Sequence, residues 1–339
     1  MSAENATVAS TRRKLLWPSL SKIEFVDVPA EAEAALRGEF PEVEFVTARD
    51  METYLAHLTD CEILITWTLK AEHHKLCRKL KYLHSPMAGV TQMMFPSLVN
   101  SDTIITNATT VHAVVVAEQT LALMFAIARR IPSSVHYQDQ RTWGQMDYWV
   151  RPLMPTELSG TTLGLVGFGQ IGQELATRCR ALGMRIVAMK KDTSRGGDLA
   201  DKVYGLNQLD ALLAESDYLV ICAPDTPENI GMIGAPQLAR MKPSAVLLNV
   251  ARGALVKTDD LIAALRSGTI AGAGLDVTDP EPLPTDHPLW SAPNVLISPH
   301  LGGCTDRFWH RQMALLRDNL RRYLSGQPLL NLVDKKRGY

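Results

Sequence analysis

Three short segments hold the side chains best suited to chemistry: Asn249-Val-Ala-Arg252-Gly253, Asp276-Val-Thr-Asp-Pro-Glu281-Pro282 and Ser298-Pro-His300-Leu-Gly302-Gly303. A guanidinium such as that of Arg252 can grip a carboxylate with two hydrogen bonds. An imidazole such as that of His300 can move a proton to or from an oxygen near neutral pH. A carboxylate beside an imidazole, the place Glu281 would take, favours its protonated form. Taken singly, each has a plainer account: a surface ion pair, a solvated loop residue, a hydrogen-bonded structural histidine. What they share is a position after an apolar strand-like run, next to glycine or proline.

A fourth segment gives that chemistry a partner. Leu163-Gly-Leu-Val166 reads as a strand that runs into Gly167-Phe168-Gly169-Gln170-Ile171-Gly172, and a helix follows with Ile171, Leu175, Cys179 and Leu182 on one face and Gly183 as its stop. In such a turn the first glycine allows the bend, the second lets backbone approach a pyrophosphate, and the third lets helix and strand pack closely. Unpaired N–H groups at the helix start favour the phosphate charge. With this turn, the Arg, carboxylate and His suit one reaction: hydride transfer between a nicotinamide and the carbon bearing the oxygen of a 2-oxo or 2-hydroxy acid.

The elements that must position these groups form two βα series. In the first third, strand-like runs fall at Ile23–Val28, Val43–Thr47, Ile63–Thr66, Tyr82–His84 and Ile104–Thr106, with helical stretches at Ala30–Arg37, Met51–Leu58 and Lys75–Leu80. In the second series, strands beginning at Leu163 continue at Ile186–Met189, Tyr218–Ala223, Ala245–Val250, Ala271–Val277 and Val295–Ser298, with helices such as Leu206–Ala214 and Thr258–Ser267 between them. Alternation of this kind predicts α/β architecture, two doubly wound parallel sheets with ligands at the strand C-terminal ends. Val114 to Ile131 predicts an apolar helix stopped by Pro132 and buried all round. Gln138 to Thr156 is rich in Trp, Tyr and Gln without periodicity, an arm too aromatic for solvent. Arg307 to Leu324 predicts a closing helix that returns to the first domain.

Composition bounds the rest. The 339 residues, 46% hydrophobic and 21% charged with a net charge of −1, suit two soluble domains and give no field that would draw nucleic acid or an anionic membrane. Cys61, Cys77, Cys179, Cys222 and Cys304 are scattered without a C-x-x-C, the pattern of reduced intracellular thiols. His73-His74 with Cys77 lacks a second ligand cluster, so no metal is expected. No apolar run reads as long enough for a bilayer span. The first 14 residues read as a disordered tail, with an organelle-targeting peptide opposed by Glu4, and the cytoplasm is the expected compartment.

These motifs resemble the D-isomer-specific 2-hydroxyacid dehydrogenase family, over almost the whole chain from Ile23. Leu163–Gly172 is similar to its dinucleotide fingerprint. Met241-Lys-Pro-Ser-Ala-Val-Leu-Leu-Asn-Val-Ala-Arg-Gly253 resembles its arginine motif, Leu275 to Pro282 its glutamate motif, and Ser298 to Gly303 its histidine motif. The resemblance implies that Arg252 orients the substrate, that His300 is acid in reduction and base in oxidation, and that Glu281 pairs with and tunes His300. It implies that backbone N–H groups of Ala88 and Gly89 hold the substrate carboxylate. Cofactor contacts are implied for Gly167, Phe168, Gly169, Gln170, Ile171, Gly172, Ala223, Pro224, Val250, Ala251, Asp276, His300, Gly302 and Gly303. It further implies a Rossmann dinucleotide domain (108–303) inserted in a flavodoxin-like substrate domain (1–107 and 304–339), and a homodimer joined through the dinucleotide domains.

One departure from the family pattern is informative. NAD enzymes carry an acid at the end of the second strand, where this chain has Lys190, followed by Lys191 and Arg195. Cations there attract a 2′-phosphate, so NADP is the expected cofactor, with NAD open through Asp192. Trp67, after the third strand, would narrow the pocket toward small acids of the glyoxylate or hydroxypyruvate type. Formate and phosphoglycerate branches are not expected. The alternative is a dinucleotide-sensing binding protein, a dehydrogenase-like corepressor.

Overall fold

The computed structural model describes residues 12–193 and 197–339. The chain forms two compact units: one from the residues up to Val111 together with Asp306–Tyr339, the other from His112–Thr305.

The first unit is a parallel sheet of β1 (Arg13–Pro18), β2 (Val43–Ala48), β3 (Ile63–Ile65), β4 (Tyr82–His84) and β5 (Ile104–Thr106), in the order β2-β1-β3-β4-β5. That is the flavodoxin-like order. β1 corrects two sequence expectations: its first residues belong to no tail, and the first strand lies here and not at Ile23–Val28. Leu15 and Trp17 face the cluster that holds Met313, Leu316 and Leu320, while Leu16 faces Tyr54 and Leu58 on the other side. A central strand buried on both faces needs only a short apolar run. Ile23–Val28 is instead a turn, closed by Val26 N–H donating to the Ile23 carbonyl at 2.9 Å, with Ile23 63% exposed. Lys75–Leu80 is also not helical; the helix is Ala71–His74, and the chain after it packs Cys77 and Leu80 against the core from an irregular stretch, with Leu76 40% exposed. The helix Phe308–Leu324 packs in this unit through Met313, Leu316 and Leu320.

The second unit is a parallel sheet of β6 (Thr162–Val166), β7 (Arg185–Met189), β8 (Lys202–Tyr204), β9 (Tyr218–Ile221), β10 (Val246–Asn249), β11 (Gly272–Leu275) and β12 (Val295–Ile297), in the order β12-β11-β10-β9-β6-β7-β8. This is the Rossmann order with one further strand. The short edge strand β8 was not foreseen; it pairs with β7 through Met189 and Tyr204. Gly183 and Gly268 end their helices at φ 78° and 70°, the left-handed conformation that glycine adopts without strain.

The long apolar helix is Thr109–Ala128, and Pro132 does not stop it. The chain breaks at Arg130, φ 56°, and Pro132 lies in the first turn of the next helix, Ile131–Asp139, where its missing N–H costs nothing. Nor is the helix buried all round. Ala117, Leu123 and Met124 pack with Leu163, Leu165 and Val220, while Glu118, Ala122 and Phe125 are exposed. By length and composition this helix could cross a bilayer, contrary to the sequence reading; half of its most apolar window is buried inside the protein. Gln138–Thr156 holds a 3-10 turn, Gln145–Trp149, and leaves Trp143 89% and Met146 66% exposed.

Candidate active site

The glycine turn follows β6, which has β7 on one side and β9 on the other, the switch point where such sheets bind ligands. Gly167 has φ 101°, and a Cβ there would lie 2.8 Å from backbone atoms of Cys222 and Ala223. A Cβ on Gly172 would lie 2.8 Å from the Gly167 carbonyl oxygen, so the helix Gln170–Ala181 sits directly against the turn. Gly169 caps that helix without a side chain, and a Cβ on it would meet nothing within 4 Å. Phe168 is buried beside it. The start of the helix, with Gln170 and Ile171, thus offers N–H donors beside open space, which fits a pyrophosphate. Cys222, not singled out from the sequence, braces the turn: its thiol donates to the Gly167 carbonyl at 3.0 Å, and burial pushes its pKa up to about 12.

Lys190 follows β7, its N–H donating to the Tyr204 carbonyl at 3.0 Å; Lys190 is half-buried and Lys191 exposed. Arg195 lies outside the described residues. Glu228, also unforeseen, is held below the usual carboxylate range by hydrogen bonds from Thr226 and its own N–H and by the charge of Lys191. Ala223 and Pro224 lie just past β9, and Val250 and Ala251 just past β10.

β10, β11 and β12 are successive neighbours, so the three ionisable segments leave adjacent strands at the same sheet edge. After β10, the buried Asn249 accepts from Ala251 N–H at 3.1 Å and donates to the Arg252 carbonyl at 2.8 Å. Arg252 is half-buried, with Nη1 donating to the Ala251 carbonyl at 2.8 Å. Gly253 then passes so close to the next segment that a Cβ would lie 2.0 Å from the Thr278 carbonyl oxygen. After β11, Asp276 is buried, and its carboxylate accepts from the amides of Leu301 and Gly302. Glu281 Oε1 and His300 Nδ1 lie 2.5 Å apart, the two side chains 41% and 46% exposed. Gly303 backs onto His112, whose Nδ1 would be 2.9 Å from an added Cβ.

The other expected residues belong to the first unit. Ala88 is fixed through its carbonyl, which accepts from Asn107 Nδ2 at 2.8 Å. Met87, its neighbour, accepts from Ala108 N–H at 2.8 Å. Gly89 follows in the same half-buried loop. Trp67 is stacked on Phe308 at 5.5 Å and tilted against Phe25 at 5.9 Å, and its indole N–H donates to the Val26 carbonyl at 3.0 Å.

Residues 121–302 match the family profile described as D-isomer specific 2-hydroxyacid dehydrogenase, NAD binding domain. A glyoxylate reductase of Thermococcus litoralis is 35% identical over 276 residues, 80% of this chain and 82% of that enzyme. The chain belongs to the D-isomer specific 2-hydroxyacid dehydrogenase family. As a member of this family it is an NAD(P)-dependent oxidoreductase of the CH–OH group. A D-3-phosphoglycerate dehydrogenase of Mycobacterium bovis is 32% identical over 93% of this chain but only 59% of its own length. Among solved structures, an NADPH-dependent glyoxylate/hydroxypyruvate reductase of Sinorhizobium meliloti, in complex with NADP and sulfate, superposes with a TM-score of 0.80 at 26% identity, covering 96% of this chain and 100% of that one. The family's two-sheet α/β plan is the one described above.

Proposed function

We propose that the protein reduces a small 2-oxo acid of the glyoxylate or hydroxypyruvate type to the D-2-hydroxy acid, with NADPH preferred over NADH. The single observation that carries this reading is the His300–Glu281 pair, 2.5 Å apart, at the sheet edge where Arg252 also emerges. His300 Nε2 delivers a proton to the carbonyl oxygen of the substrate, and takes it back in the oxidative direction. Glu281 Oε1 accepts from His300 Nδ1 and orients the ring. Arg252 binds the substrate carboxylate and polarises its carbonyl. Ala88 and Gly89 supply amides for the carboxylate, and Trp67 limits the side chain of the acid. When bound, the nicotinamide supplies the hydride. Its pyrophosphate is held at Gly167–Gly172, and Lys190 and Lys191 with Arg195 serve a 2′-phosphate. Asp276 and the stretches Ala223-Pro224, Val250-Ala251 and Gly302-Gly303 line the nicotinamide side.

The assembly is a cytoplasmic homodimer formed through the dinucleotide units, without nucleic acid or membrane; the exposed Trp143, Met146 and Trp149 support the contact between copies, and the net charge of −1 gives no field to draw nucleic acid. A panel of 2-oxo acids assayed by absorbance with NADPH and with NADH tests the function. Turnover should be highest with small acids and NADPH, and His300→Ala should lower kcat by about 10² to 10⁴ while cofactor binding persists. A His300→Ala variant at full rate rules out the assigned proton transfer. Binding of NADPH without turnover of any acid favours the sensor reading.

A further inference from the structure

His300 has φ 55°, a left-handed backbone that a non-glycine residue keeps only where its surroundings hold it there. Asp276 imposes it. The Asp276 carbonyl accepts from His300 N–H at 2.8 Å. Its Oδ1 accepts from Leu301 N–H at 2.9 Å and its Oδ2 from Gly302 N–H at 2.7 Å. Three consecutive amides therefore converge on one residue, and a Cβ on Gly302 would lie 2.7 Å from the same Oδ2.

The carboxylate is fixed in turn by two side chains. Ser298 Oγ donates to Asp276 Oδ1 at 2.6 Å. Gln119, from the middle of the helix Thr109–Ala128, donates to Ser298 Oγ at 3.0 Å and reaches Asp276 Oδ1 at 3.5 Å. We propose that Gln119 and Ser298 are positioning residues for the proton-transferring imidazole of His300, acting through Asp276. This rests on the role given to His300 above. A carboxylate only 2% exposed needs its donors. Without the Ser298 hydroxyl its Oδ1 loses the shortest of them, and the carboxylate can turn away from the amides of residues 301 and 302. The backbone of His300 then relaxes out of its left-handed conformation, and the ring leaves Glu281. Neither an amide nor a serine hydroxyl ionises near neutral pH, so the effect on rate passes through the imidazole.

The experiment is a double-mutant cycle on the full-length protein, with Ser298→Ala, Ser298→Thr, Gln119→Leu, His300→Ala and the Ser298→Ala/His300→Ala pair. With glyoxylate and NADPH at saturation, Ser298→Ala should lower kcat about tenfold and Gln119→Leu about threefold. Ser298→Thr should restore the rate. In the His300→Ala background the serine substitution should change kcat by less than about twofold. An equal loss in both backgrounds, or none in either, overturns the proposal. Nuclear magnetic resonance of nitrogen-labelled histidine separates this from the functional reading: a wild type that turns over no 2-oxo acid sinks that reading, while a His300 ring signal identical in wild type and Ser298→Ala sinks the positioning role.

Discussion

Replacing Gly253 by alanine tests whether the arginine and glutamate segments owe their spacing to direct backbone contact. The added Cβ would lie 2.0 Å from the Thr278 carbonyl oxygen, 2.1 Å from its carbon and 2.6 Å from Asp279 N. All three are backbone atoms, so no side chain can swing aside. Real Cβ atoms essentially never come within 3.0 Å of such neighbours, and the two segments must part by about 1 Å. One carries Arg252 at the adjacent position and the other carries Glu281 three residues beyond Thr278. Displacement of that size typically lowers turnover about 10²-fold even when no catalytic group is changed. Overpacking should also cost about 1–3 kcal/mol of stability. The assay is kcat/KM with glyoxylate or hydroxypyruvate, alongside a thermal melt. Gly253→Ala with both the rate and the midpoint of wild type would refute the claim that close approach here sets the site.

Gly169→Ala is the complement: its Cβ meets no protein atom within 4 Å, so the melt should move by no more than about 3 °C while the KM for NADPH rises at least about tenfold; an unchanged KM would count against pyrophosphate at this turn. Lys190→Asp should lower the NADPH-to-NADH ratio of kcat/KM by about 10- to 100-fold, the weight of one or two hydrogen bonds to a charge, and an unmoved ratio would place the 2′-phosphate elsewhere. Burial pushes His84 down from 6.5 to about 3, so its contribution is intact above pH 6.5 and is lost as pH falls toward 3, at about 1.4 kcal/mol per pH unit. Urea midpoints between pH 7 and 4 should therefore fall less steeply in His84→Gln, and parallel profiles would contradict this. Trp143→Ser with Met146→Ser should shift the mass by light scattering from dimer to monomer, whereas a dimer that persists excludes this arm from the contact.

Much of this is legible in the amino-acid sequence. Periodicity and glycine spacing located β4, β5 and the helices Met51–Leu58 and Thr258–Ser267. Arg252, Glu281 and His300 stood out because each follows a strand and adjoins a turn residue. What the sequence concealed has physical causes. β1 is only six residues and its Leu15, Leu16 and Trp17 are buried on both faces, so it lacks the alternation that marks a strand, and its own Arg13-Lys14, after Arg12, resemble a tail. Pro132 is a helix breaker in the interior but a natural first-turn residue, and the sequence does not say which place it holds. Gln119 reaches Ser298 across 179 residues, and no local pattern signals such a partner.

The first unit is closed by the helix Phe308–Leu324, whose Met313, Leu316 and Leu320 pack with Leu15 and Trp17. During synthesis the opening strand must therefore wait, with one apolar face bare, until nearly three hundred further residues have left the ribosome. The inserted second unit depends on no such late arrival and can be complete first. A chaperone that guards the nascent chain would find its work at the amino-terminal third, and a ribosome stalled before Phe308 would leave one finished domain tethered to one that cannot finish.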